Sequence, residues 1–62
     1  MDQEKIGKFI ARCRKENKLT QAQLAEKLNV SDKSISRWEN GKTMPDISLF
    51  DPFFEILNIS II

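Results

Sequence analysis

The stretch Leu19-Thr20-Gln21-Ala22-Gln23-Leu24-Ala25-Glu26-Lys27-Leu28-Asn29-Val30-Ser31 decides the fold. Thr20 and Gln23 form a capping box. The hydroxyl at the cap accepts from the backbone three residues on, and the Gln side chain reaches back to the cap. Leu19 before the cap and Leu24 at the fourth helical position are spaced as a hydrophobic staple. The helix that follows, residues 21–28, carries Leu24, Ala25 and Leu28 on one apolar face. Asn29 comes next, and Asn is the non-glycine residue best suited to the left-handed conformation that ends many helices. Val30 and Ser31 then repeat the entry device, Ser31 as cap and Val30 paired with Ile35. A third helix runs from about Asp32 to Asn40 and stops at Gly41. Its only apolar residues are Ile35 and Trp38.

Upstream, residues 3–17 read as a helix with Asp2 at its cap. Ile6, Ile10 and Cys13 make one apolar stripe with Phe9 beside it, and Asn17-Lys18 is the stop. Downstream, residues 41–47 are a turn-rich loop. A fourth helix follows and ends near Asn58, with Phe50, Phe53, Phe54 and Leu57 as its apolar face. Its start has three readings. Asp46 or Ser48 can cap it, and Asp51 with Pro52 at the first helical position is locally attractive, because Pro lacks an N–H and fits the first turn. Residues 59–62 (Ile-Ser-Ile-Ile) are apolar.

The chain has 62 residues, one cysteine and no histidine. A single small domain over residues 1–62 is expected, with a thin core. A Cys/His metal site is excluded, as is catalysis built on histidine. Two glycines and no tyrosine leave little for a phosphate loop or an aromatic cofactor pocket. Neither a metal nor a cofactor is expected, and no nucleophile–base pair supports an enzyme. No stretch approaches the roughly 18 apolar residues of a membrane span. The polar, acidic start is not a secretory signal, so a cytoplasmic protein is expected. The net charge of +1 hides an asymmetry. All ten Lys and Arg fall between Lys5 and Lys42, where four acids leave a net +6, whereas residues 43–62 carry three acids and no base. Such a split suggests that one part faces a polyanion.

Two short helices joined by about three residues, with a small side chain (Ala25) where they cross, have helix-turn-helix spacing. Ile35 and Trp38 pack back on Leu24 and Leu28, which turns the polar side of the third helix outward, toward a major groove about 12 Å wide. Lys33 and Arg37 lie one turn apart on that side. Arg is the commonest bidentate reader of guanine, whereas Lys33 can equally meet a phosphate. Ser36 can reach a base or a phosphate. Asp32 can accept from a cytosine amino group, but it suits the first-turn helix dipole better. Thr20 and Gln21 stand at a helix N-terminus whose free N–H groups attract phosphate, although capping alone explains Thr20.

The segments 19–28, Val30-Ser31 and Ile35-Ser36-Arg37-Trp38-Glu39-Asn40-Gly41-Lys42 resemble the phage-repressor and Cro-like (XRE-type) helix-turn-helix regulators. The resemblance covers roughly residues 5–59. It implies an all-α, lambda-repressor-like bundle of four to five short helices, with a helix-turn-helix unit at about 20–41. It also implies double-stranded DNA as partner, bound as an inverted-repeat operator by a homodimer, and a repressor function. Phosphate contacts are implied for Gln21 and for the loop with Asn40, Lys42 and Thr43. An ion pair between Arg14 and Glu39 is implied, tying the first helix to the third. Family members usually carry a fifth helix after the segment equivalent to 58–60, so an end at Ile62 suggests a shortened domain. The competing expectation is a protein-interaction module, antitoxin-like, that uses the Phe-rich C-terminal part.

Overall fold

A computed structural model describes residues 2–57. Four α-helices follow in order: α1 (Gln3–Glu16), α2 (Gln21–Leu28), α3 (Asp32–Glu39) and α4 (Phe50–Ile56), the last entered through a 3-10 turn at Ile47–Leu49. Each of the first three starts on a side-chain cap. Asp2 accepts from the N–H groups of Glu4 and Lys5. Thr20 accepts from Gln23 at 3.0 Å while the Gln23 side chain accepts from the Thr20 N–H at 2.8 Å. Ser31 accepts from Ser34.

The same three helices also end alike. A left-handed residue follows each helix: Asn29 (φ 60°) directly after α2, and Lys18 (φ 58°) and Gly41 (φ 72°) one beyond the cap residues Asn17 and Asn40. In each case the next N–H reaches back to a carbonyl five residues earlier: Leu19 to Arg14 at 3.1 Å, Val30 to Ala25 at 2.9 Å and Lys42 to Arg37 at 2.9 Å. This is the Schellman arrangement, which satisfies carbonyls that the last turn leaves open. α3 therefore closes at Glu39, and Asn40 belongs to its cap rather than to the helix.

The entry to α4 corrects the Asp51–Pro52 expectation. Asp46 caps the 3-10 turn that leads into α4, accepting from the Ser48 N–H at 2.9 Å, whereas α4 itself starts after Leu49 with no side-chain cap. The bond from Ser48 holds the Asp46 carboxyl below the ordinary aspartate range. Phe50 and Asp51 are already helical, so Pro52 falls third in α4. It remains in the first turn, where an N–H has no partner within the helix. The end near Asn58, and the isoleucines after it, lie outside the described residues.

α1 and α2 both pack on α3. The core is Ile10 and Cys13 from α1, Leu24, Ala25 and Leu28 from α2, Ile35 and Trp38 from α3, and Phe53 and Leu57 from α4. Trp38 meets Phe53 edge-on with ring centres 5.6 Å apart, a geometry worth about 1 kcal/mol beyond area burial. Asn17 joins the ends of the chain's packing, its side-chain amide donating to the carbonyls of Cys13 and Leu57. Gly7 faces α3 so closely that a Cβ would stand 2.3 Å from the Trp38 carbonyl oxygen and 2.8 Å from that of Glu39. Phe9, expected beside the apolar stripe, is 48% exposed. No helix among the described residues is long and apolar enough to cross a membrane.

Candidate nucleic-acid interface

α3 divides its side chains by periodicity. Ile35 and Trp38 are buried. Asp32, Lys33 and Arg37 are exposed, and Ser36 is half-buried between them. The exposed set falls at positions 32, 33, 36 and 37, one face of a helix of 3.6 residues per turn. Among the described residues, Lys33, Arg37 and Lys42 make no ion pair; the pairs that form are Arg12–Glu16 and Arg14–Glu39. Among the described residues, Lys33 and Arg37 thus stand on this side of α3 without an ion-pair partner, with Asp32 the acid that shares the face.

Asn40 folds back on the last turn. Its amide nitrogen donates to the Ser36 carbonyl at 2.8 Å and approaches the Ser36 hydroxyl at 3.3 Å. Ser36 is thus held from the C-terminal side, and Asn40 itself is exposed. The bond from Lys42 N–H to Arg37 fixes the backbone just beyond, so Lys42 and Thr43 leave α3 along a set path, both exposed.

α2 presents its N-terminus on the same unit. The cap satisfies Gln23, and Leu24 donates to Thr20 at 3.0 Å. The N–H groups of Gln21 and Ala22 have no partner among the described residues, as expected for the first two helical positions. Gln21 is held from its side chain as well. Its amide nitrogen donates to Glu39 Oε1 at 3.0 Å.

Glu39 is the hub that sets these helices against one another. Arg14 Nε donates to its Oε2 at 2.6 Å and Arg14 NH2 to its Oε1 at 3.0 Å, a two-pronged contact. Arg14 NH1 also donates to the Leu19 carbonyl at 2.8 Å, just ahead of the α2 cap. The side chains of Arg14 and Glu39 are 12% and 7% exposed. The hydrogen bond to Glu39 binds the Arg14 proton more firmly still. No buried side-chain nitrogen or oxygen among the described residues lacks a partner, so the desolvation of this pair is met by hydrogen bonds. Neither the close approach of Gly7 to α3 nor the bond from Asn17 to Leu57 had a sequence signal of its own, although Asn17 was read as part of the stop of α1. Each works through a partner tens of residues away.

Among the described residues, no group of three or more His, Cys, Asp or Glu side chains is placed to hold a metal ion. Cys13 lies inside the core, where burial, followed by the nearby Glu16 charge, pushes its thiol up from the ordinary value.

Two helices joined by a left-handed Asn29, the second showing an unpaired cationic face, define a helix-turn-helix domain. Comparison with protein families agrees. Residues 10–62 match a helix-turn-helix family, and the chain belongs to it, the XRE/Cro-like family of DNA-binding domains. No curated protein and no solved structure matches the chain.

Proposed function

We propose that this protein is a cytoplasmic transcriptional repressor that reads an inverted-repeat operator in double-stranded DNA as a homodimer. α3 enters the major groove. Arg37 makes a bidentate contact to a guanine, and Lys33 and Ser36 read or brace neighbouring positions. Asp32 serves the first turn of α3, where its charge suits the helix dipole. The free N–H groups of Gln21 and Ala22 take one phosphate, with Thr20 keeping that helix end open. Asn40, Lys42 and Thr43 take another. Contacts of this kind fix register and carry no sequence information. The observation that carries this reading is the exposed side of α3, where Lys33 and Arg37 stand without an ion-pair partner among the described residues.

The test is selection from a randomised duplex pool at low salt, followed by binding of the enriched sequence to two variants. Enrichment of half-sites about one helical turn apart is expected. Arg37→Ala should relax the preference at one or two base pairs, a discrimination of about 1–3 kcal/mol. Lys42→Ala should weaken all sequences alike and lower the salt slope by about one. Equal loss on every sequence for Arg37→Ala would remove it from base reading. No salt-sensitive binding at all would end the DNA assignment.

A further inference from the structure

Asn40 is followed by Gly41, the neighbour that leaves an asparagine most open to attack on its own side chain, because glycine has no Cβ to hinder its nitrogen or restrict its backbone. In that reaction the Gly41 amide nitrogen bonds to Cγ of Asn40 and gives up its proton. The Cγ–Nδ2 bond breaks, and Nδ2 takes a proton through solvent and leaves as ammonia. Water then opens the closed ring at one of its two carbonyls, which leaves either aspartate or isoaspartate. The sum is an amide and water giving a carboxylic acid and ammonia, with no other reactant.

The folded chain keeps the two reacting groups apart. Asn40 is the cap residue of α3, with ψ 4°. Ring closure needs the Gly41 nitrogen brought into line with the Asn40 side chain, a large rotation of ψ away. That nitrogen is also engaged, its N–H donating to the Trp38 carbonyl at 3.1 Å. The leaving group is tied down at the same time, Asn40 Nδ2 donating to the Ser36 carbonyl at 2.8 Å and meeting Ser36 Oγ at 3.3 Å. The bond from Lys42 N–H to the Arg37 carbonyl at 2.9 Å closes the cap over both. Asn40 is exposed, so water is at hand once the cap opens, and helix ends open more readily than cores.

We infer that Asn40-Gly41 is a spontaneous deamidation site gated by the α3 cap, whose product switches off DNA binding. The new carboxylate stands three residues after Arg37 and two before Lys42, both exposed. The acid already beside it is Glu4, packed against Gly41 from α1. The charge also falls at the negative end of the α3 dipole, where it loosens the cap that held the reaction back. The gated chemistry stands on the cap geometry alone. The effect on DNA rests on the phosphate contact given to Asn40, Lys42 and Thr43 under Proposed function.

Peptide mapping by mass spectrometry tests the chemistry, on the intact chain held in warm, mildly alkaline buffer with and without urea. In urea, residue 40 is expected to convert faster than Asn17, Asn29 and Asn58, which precede Lys, Val and Ile. In the folded chain it should convert at least about tenfold more slowly than in urea, and the slowing should track the hydrogen-exchange protection of the Gly41 amide, since one opening exposes both. No lead over the other asparagines in urea removes the site. Equal rates with and without urea remove the gate. For the switch, Asn40→Asp should bind duplex DNA at least about tenfold more weakly on every sequence alike, as a lost phosphate contact does. Asn40→Gln, which stays neutral, should lose less. A partly converted wild-type sample passed over immobilised DNA gives the same reading without a variant: the converted chain should wash through while the unconverted chain is retained. Retention of both, or Asn40→Asp binding as tightly as wild type, overturns the switch. A wild type that binds no duplex ends the DNA assignment, and the mass measurement still decides the gated chemistry.

Discussion

Arg14→Ala tests whether the hub at Glu39 holds the helix-turn-helix together. The substitution removes three hydrogen bonds: two to Glu39, at 2.6 and 3.0 Å, and one to the Leu19 carbonyl at 2.8 Å. Glu39 keeps a single side-chain donor, Gln21. Its carboxylate side chain is only 7% exposed. Breaking a buried pair from one side costs about 3–5 kcal/mol, because the other charge stays behind unpaired. Arg14 lies near the surface at 12% exposed, so water can enter the vacated space, which favours the lower end, about 3 kcal/mol. A domain of this length has a total stability of only about 3–9 kcal/mol, so the loss takes a large share of it. Urea unfolding followed by tryptophan fluorescence reads the change, since Trp38 sits in the core next to Glu39. The double variant Arg14→Met with Glu39→Leu should recover most of the loss, because an apolar pair of similar volume leaves no stranded charge. A loss below about 1 kcal/mol for Arg14→Ala, the value of an exposed pair, would refute the reasoning. So would a double variant no more stable than the single.

Three further outcomes are expected. Gly7→Ala places a methyl 2.3 Å from the Trp38 carbonyl oxygen; it should force α1 off α3 and lower the urea-derived stability by about 2 kcal/mol. Lys18→Gly should raise the melting temperature, because Lys18 is left-handed at φ 58°, a conformation that costs a side-chain residue about 1 kcal/mol and glycine almost nothing. The Cys13 thiol, pushed up by burial, should make the fold less stable in alkali. Its contribution is whole below the unfolded-state thiol value and falls away as pH rises through the higher folded value. Thermal melts of wild type and Cys13→Ala across that range should converge as pH rises, and native-state labelling of Cys13 should be slow until the fold opens.

The helix-turn-helix was legible because its signals are local. Thr20 with Gln23, Asn29, and Ser31 each act within four residues, and all three take the roles that their chemistry assigns. The entry to α4 was not decided locally. Asp46 and Asp51 are both good caps, and the choice follows from Leu49 and Phe53 packing onto the core, which extends the helical path back to Asp46. Lys18 was harder still. Nothing in a lysine announces a left-handed residue, and the bond from Leu19 to Arg14 is what holds it there. The close packing of Gly7 and the bond from Asn17 to Leu57 are invisible from sequence because the partners, Trp38 and Leu57, lie 31 and 40 positions away; the place of Asn17 at the stop of α1 was legible. On the candidate interface, the outward positions of α3 follow from helical spacing alone. The engagement of Gln21 with Glu39 does not, since it needs α1, α2 and α3 to converge at one carboxylate.

That convergence bears on the heat of association. Because Arg14, Gln21 and Glu39 lock the approach of three helices in the unliganded chain, α3 has already lost its orientational freedom before any duplex arrives. Docking then resembles the meeting of two formed surfaces rather than folding upon contact. Its heat-capacity change should reflect only the apolar area covered at the interface. On the proposed reading, distortion at the junction would fall to the nucleic acid, whose readiness to bend depends on its own base steps. A stiff reader of this kind would then select sites partly by how willingly they deform, including at base pairs it never touches.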